Sequence, residues 1–243
     1  MRDYNKLKDI IVKNIKKWFD DNGPTATAVI GISGGKDSTV AAALLVEALG
    51  KERVLGVMMP NGFQSDIEDS KRVIEFLGIR SIEENINEVY GKFIHQLMAT
   101  GIDVSEDTKI NLPPRLRMAM LYAIAQSLPE GGRVINTCNY SEDYVGYSTK
   151  YGDSAGDVSI LGNCFVSEVI GIGDVLKLPY DLVHKAPSDG LCGKTDEDRF
   201  GFTYSDIETY ILKGTTGNSV IDAKILRMHK SSRHKYKEMY NCI

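Results

Sequence analysis

The hexapeptide Ser33-Gly34-Gly35-Lys36-Asp37-Ser38 constrains this chain most, because of what stands on either side of it. It follows an apolar, β-branched run, TATAVIGI (Thr25 to Ile32), and opens a helical pattern from Ser38 to Leu49 that Gly50 ends. Two glycines between a strand and a helix let the backbone approach a ligand closely. The N–H groups of such a loop and of the helix N-terminus then point at an anion, which the helix dipole also favours. A glycine turn that only caps a helix, with Ser33 and Ser38 as local hydrogen-bond makers, is the plainer reading of the same residues. A Walker A loop is excluded, since Lys36 comes five residues after Gly31 without the G-x-x-x-x-G-K-[ST] spacing, and G-x-G-x-x-G is not matched either. Asp37 is the informative member. A carboxylate beside a phosphate site is unfavourable unless a cation sits between them, so Asp37 is a candidate Mg²⁺ ligand, or a simple stabiliser of the helix's first turn.

The rest of the chain repeats the strand–helix alternation. VLGVMMP precedes SDIEDSKRVIEFLG, with Ser65 as N-cap and Gly78 as C′ residue, and RSIEENI is a third, weaker strand. Arg115 to Ser127 reads as a helix after a Pro113-Pro114 stop, and Arg133 to Cys138 as another buried strand. This rhythm predicts an α/β fold: a doubly wound, mostly parallel sheet with helices on both faces, whose ligands bind outside the carboxyl ends of the strands. The first residues form an amphipathic helix, about 3–20, with Leu7, Ile10, Ile11, Ile15, Trp18 and Phe19 on one side; they carry acidic residues and lack the apolar core of a targeting segment. Two stretches, Thr100 to Pro114 and Lys185 to Gly201, are rich in Gly, Pro, Asp and Ser and read as irregular, the second as a lid. At 243 residues, one domain spanning 1–243 is expected.

Composition excludes several classes. A formal charge of −4 argues against a large nucleic-acid surface. No apolar stretch reaches the length of a membrane span. Cys138, Cys164, Cys192 and Cys242 lie far apart without a C-x-x-C pair, so neither a zinc knuckle nor a dithiol motif is present, and a cytoplasmic location is expected.

The Ser-Gly-Gly-x-Asp-Ser pattern resembles the PP-loop of the ATP pyrophosphatase superfamily, Rossmann-like proteins that split ATP between the α and β phosphates. The segment Thr137 to Asp157, TCNYSEDYVGYSTKYGDSAGD, resembles the signature of ammonia-dependent NAD synthetases. That resemblance implies ATP contacts at Gly31, Ile32, Ser33, Gly34, Gly35, Lys36, Asp37, Ser38, Thr137 and Ser188, with Mg²⁺ on Asp37 and Glu142. Arg115 in PPRLRM, Lys150, Asp157, His234 and Lys235 match binders of deamido-NAD. Asp37, Glu142 and Asp157 are the catalytic candidates, with Asp153 and Asp157 considered for taking the proton from ammonium. The implied reaction joins ammonia to deamido-NAD at the expense of ATP, through an acyl adenylate, releasing AMP and pyrophosphate. The implied assembly is a homodimer, with no nucleic-acid or membrane partner.

Two positions depart from the family pattern. Where a lysine contacts ATP nine residues after Asp157 there is Val166, for which Lys36 or Lys185 is the substitute cation. The family's basic-proline tail is here Tyr236-Lys237-Glu238. Two other readings stay open: another PP-loop adenylating enzyme, such as one modifying RNA, and a noncatalytic nucleotide sensor of the same fold.

Overall fold

The computed structural model describes residues 2–64, 67–185, 196–237 and 241–242. Its elements are α1 (Tyr4–Asn22), β1 (Thr27–Gly31), α2 (Lys36–Leu49), β2 (Val54–Met58), α3 (Ile67–Leu77), β3 (Arg80–Glu83), α4 (Asn87–Ala99) and α5 (Glu106–Ser127). There follow β4 (Gly132–Asn136), α6 (Tyr140–Val145), β5 (Val158–Ser159), α7 (Val166–Val175), α8 (Tyr180–Val183), α9 (Asp196–Phe200), α10 (Tyr204–Lys213) and α11 (Ser219–Ser232), which runs into a tight turn at Arg233–Lys235.

Five strands lie in the order β3-β2-β1-β4-β5, and every pairing is parallel. Consecutive residues of β1 serve opposite faces: Ala28 and Ile30 pack into a core with α1, α2 and α7, whereas Val29 packs with Met118, Leu121 and Ala125 of α5. Burial on both faces is why the strand reads as an unbroken apolar run rather than an alternating one. From β1 the chain builds outward through β2 and β3, then crosses back to place β4 on the other side of β1. The strand order therefore reverses between β1 and β4, and the crevice at their carboxyl ends is where this topology binds ligands. Among the described residues no helix is long and apolar enough to cross a membrane.

Local signals explain most boundaries. Asp3 caps α1 through hydrogen bonds from the Asn5 and Lys6 N–H groups, and Gly23 ends it. Within α1, however, Ile10 is exposed and Val12 takes the buried place, because the inward face follows Ile11, Ile15 and Phe19. The larger correction concerns α5. It begins at Glu106 and carries Pro113 and Pro114 inside it, so more than half of the stretch expected to be irregular is helical. Ser105 accepts the Thr108 N–H as an N-cap, Glu106 and Asp107 complement the dipole, and buried Pro113 gains packing that offsets its missing hydrogen bond. The proposed N-cap Ser65 lies outside the described residues, as does most of the segment expected to be irregular after Lys185; its far end, Asp196–Phe200, is the short helix α9.

Candidate functional site

The turn between β1 and α2 is held by its own hydroxyls. Ser38 Oγ accepts the Ser33 N–H at 3.2 Å and donates to the Gly35 carbonyl at 3.1 Å, while Thr39 Oγ1 donates to the same carbonyl at 2.8 Å. Ser33 Oγ accepts the Gly35 N–H at 3.3 Å. Gly34 adopts φ +75°, and a Cβ there would lie 2.8 Å from Asp69 Cβ and 2.9 Å from the Ser70 nitrogen. Glycine is thus required twice over, by backbone conformation and by the approach of α3.

The turn opens into a cavity of about 640 Å³ at the carboxyl ends of β1, β2 and β4. Gly31, Ile32, Ser33, Gly35, Lys36 and Asp37 line it from one side, and Thr137 and Glu142 from another. Gly34 and Ser38 do not reach the cavity; they shape the turn instead. One residue ties the two carboxylate carriers together: buried Asn139 caps α6 by accepting the Glu142 N–H at 3.0 Å and donates Nδ2–H to Asp37 Oδ1 at 2.9 Å. The other oxygen of Asp37 pairs with Lys36 Nζ at 2.9 Å, and the Lys36 side chain is only 5% exposed. Burial works to lower the pKa of this ammonium, but the charges of Asp37, Glu142 and Asp196 outweigh it and the net direction is up. For Glu142, burial first and the Asp37 charge second push the carboxyl up, to about 8.

Two buried polar atoms of the wall, Asn61 Oδ1 and Ser70 Oγ, have no hydrogen-bond partner among the described residues, and both residues line the cavity. Groups left unsatisfied in this way are costly unless a ligand or water completes them. Neither residue carries a sequence signal. The same holds for Asp196 and Arg199 of α9; Arg117 of the PPRLRM run, whose Nε donates to the Met59 carbonyl at 2.9 Å, lines the cavity with them. Ser188 lies outside the described residues.

Of the two proposed substitute cations, Lys36 is committed to Asp37, while Lys185 lines the cavity and pairs with Asp69 at 2.7 Å, beside Gly34. Val166 belongs to a hydrophobic cluster with Val145, Phe200, Ile207 and Ile225. Its position has become core.

The other predicted residues converge on a second feature. Lys235 Nζ, a cavity-lining cation, donates to the carbonyls of Gly146 and Ser148 at 2.8 and 2.7 Å. Lys150 Nζ donates to the His234 carbonyl at 3.1 Å, and Arg115 Nε to the Lys150 carbonyl at 3.2 Å. The 146–150 loop and the 233–235 turn are therefore one cationic wall, with Arg115, Lys150 and His234 outside the cavity and Lys235 at its edge. Asp157 is not part of the cavity lining: its Oδ2 accepts the Val134 N–H at 2.7 Å and its Oδ1 the Tyr122 hydroxyl at 3.3 Å. Asp153 does line the cavity, with both oxygens accepting the Thr149 N–H at 3.1 Å.

A glycine turn after the first strand of a parallel sheet, carrying Asp37 and facing Glu142 across a topological switch point, defines an α/β nucleotide-binding protein of the PP-loop type. The NAD synthase family model matches residues 4–243. The chain belongs to the NAD synthase family. It is 36% identical over 234 residues to an NH(3)-dependent NAD(+) synthetase from Finegoldia magna, covering 93% of each chain. To the NH(3)-dependent NAD(+) synthetase of Methanococcoides burtonii it is 41% identical, covering 85% of this chain and 78% of the other. Among solved structures, an NMN synthetase from Francisella tularensis superposes with a TM-score of 0.90 at 33% identity over 99% of both chains. An NH3-dependent NAD synthetase from Campylobacter jejuni superposes with 0.82 at 25% identity over the full length of both.

Proposed function

We propose that the protein is an ammonia-dependent NAD synthetase, a carbon–nitrogen ligase that converts deamido-NAD, ATP and ammonia to NAD, AMP and pyrophosphate. The observation that carries this reading is the meeting of the Ser33–Asp37 turn, Lys36 and Glu142 in one cavity, in a chain of this family. Asp37 and Glu142 suit Mg²⁺: two carboxylates repel each other there, and Mg²⁺ is commonly held by one or two carboxylates together with substrate phosphates. Bound at that pair, the ion supplies neutralisation of the charge that gathers on pyrophosphate.

The chain's own groups do the remaining work. Loop N–H groups, with Lys36 held beside Asp37 as a fixed positive charge, orient the triphosphate so that the carboxylate of deamido-NAD attacks the α phosphorus and pyrophosphate leaves. Ammonia then attacks the acyl carbon and AMP leaves. Ammonium must first lose a proton, and Asp153, inside the cavity, is better placed to accept it than Asp157, which is tied to β4. Arg115, Lys150, His234 and Lys235 carry the anionic nucleotide of the acyl substrate, and Thr137 and Ser188 contact ATP. No protein nucleophile is needed.

A second reading has its own support. The structure superposing at 0.90 is described as an NMN synthetase, so the same site amidating nicotinate mononucleotide is the competing assignment. Purified protein given ATP, Mg²⁺, ammonium and equal amounts of the dinucleotide and the mononucleotide acid decides between them. NAD, AMP and pyrophosphate in equal amounts, absent with Asp37→Ala, support the first reading; preferential NMN formation supports the second, and ATP binding without turnover supports the sensor.

We further propose a homodimer in the cytoplasm. No residue of α4 is buried within the chain, and its Val89, Phe93 and Met98 are exposed, an apolar face suited to a second copy.

A further inference from the structure

Asp196 stands out because a buried charge normally finds an opposite one. It is 7% exposed, lines the cavity, and among the described residues pairs with no lysine or arginine. Its partners are two phenols: Tyr147 donates to Oδ1 at 3.0 Å and Tyr204 to Oδ2 at 3.0 Å. Those rings are fixed by an aromatic cluster, with Phe200 edge-on to Tyr147 at 4.6 Å and to Tyr204 at 5.9 Å. The Tyr204 oxygen also lies 3.5 Å from Glu142 Oε1. A phenol has one proton to donate. It stands between two carboxylates, and the geometry gives that proton to Asp196.

We propose that Asp196 is a positioning residue for the cation site: by holding the Tyr204 hydroxyl, it keeps Glu142 Oε1 open toward the cavity. The proposal rests on Asp37 and Glu142 being the cation ligands. Without the Asp196 charge the Tyr204 proton turns to Glu142 and occupies the oxygen that a cation would use. With one lysine, Lys36, paired among Asp37, Glu142 and Asp196, the pocket keeps an excess of negative charge, which favours a divalent ion.

The test titrates Mn²⁺ into the full-length protein with ATP and reads free Mn²⁺ by electron paramagnetic resonance, a measure independent of turnover. The wild type is expected to take up Mn²⁺, and Asp196→Asn to bind it about tenfold more weakly, the scale of one hydrogen bond to a charged group. Tyr204→Phe should bind at least as tightly as the wild type, and adding it to Asp196→Asn should recover most of the loss. A merely structural Asp196 gives the opposite: the double variant binds no better than the single. That result, unchanged binding by Asp196→Asn, or weaker binding by Tyr204→Phe overturns the proposal. The conservative Tyr204→Phe keeps the question decidable if Asp196→Asn does not fold. No Mn²⁺ uptake by the wild type would overturn the ligand assignment itself, and this proposal with it.

Discussion

Replacing Gly34 by alanine is the sharpest probe of how the site is built. The residue sits at φ +75°, where a Cβ costs about 1–2 kcal/mol. The new atom would also meet Asp69 Cβ at 2.8 Å and the Ser70 backbone nitrogen at 2.9 Å, and a backbone atom cannot swing aside. Either α3 or the turn must shift by a few tenths of an ångström, adding a strain of about 1–3 kcal/mol of the kind seen on overpacking. The sum, about 2–5 kcal/mol, lowers the melting temperature of a chain this size by roughly 5–15 °C. ATP binding should fall at the same time, because the N–H groups that face the cavity belong to the displaced turn. Gly35→Ala is the control: nothing within 4 Å of its Cβ is closer than Ser33 Oγ at 3.3 Å, so the fold should survive while the methyl group intrudes on the cavity. Thermal melts and ATP titration calorimetry on both variants read the outcome. A Gly34→Ala protein that melts within 2 °C of the wild type and binds ATP normally would refute the reasoning, the 2 °C margin being about 1 kcal/mol or less.

Glu142 titrates near 8, so cation uptake at neutral pH should release protons and tighten as pH rises through about 8; potentiometric titration with Mg²⁺ checks the sign, and proton uptake would contradict it. The same raised pKa means the cation-free fold holds its proton where the unfolded chain has lost it, so its contribution favours folding less as pH climbs from about 4.5 to about 8, visible in denaturant melts with chelator. Cys138 and Cys164 are buried with their thiols pushed upward by that burial, Cys164 to about 11; iodoacetamide at pH 8 should leave both unmodified in the native protein while Cys242 reacts, as peptide mass mapping would show. Val166→Lys should destabilise by about 2–4 kcal/mol without improving ATP affinity, since the ammonium would enter an apolar cluster; tighter ATP binding would show that the position still faces the nucleotide.

The strand, the glycine turn and the helix around Ser33–Ser38 are legible in the sequence because they are contiguous and each announces itself by composition. Thr137 and Glu142 are marked only by the resemblance of the segment Thr137 to Asp157 to a family signature, and both line the cavity. The errors have local physical causes. Pro113-Pro114 reads as a stop, but burial of Pro113 offsets its lost hydrogen bond, and only the Ser105 cap with its acidic first turn signals the true start. Ile10 fits the apolar stripe of α1 by type alone, but it is exposed, because a helix buries a narrower arc than an apolar count suggests. Asn139, Asp196 and the unpartnered Asn61 and Ser70 could not be found by pattern, because their importance lies in neighbours supplied by distant parts of the chain. Asp157, inside the same signature, accepts the Val134 N–H of β4, a contact that no sequence pattern announces.

The reversal of strand order around β1 has a consequence for cooperativity. Residues near 35, 140, 196 and 235 are brought to one crevice only after the central strands have paired across their helical crossovers. No stretch of contiguous chain contains the whole constellation, so there is no small autonomous unit that could retain it while the remainder melts. Ligand occupancy in this architecture is therefore a gauge of the complete tertiary structure, and nucleotide bound at the switch point stabilises every element that meets there, far beyond the few residues it touches.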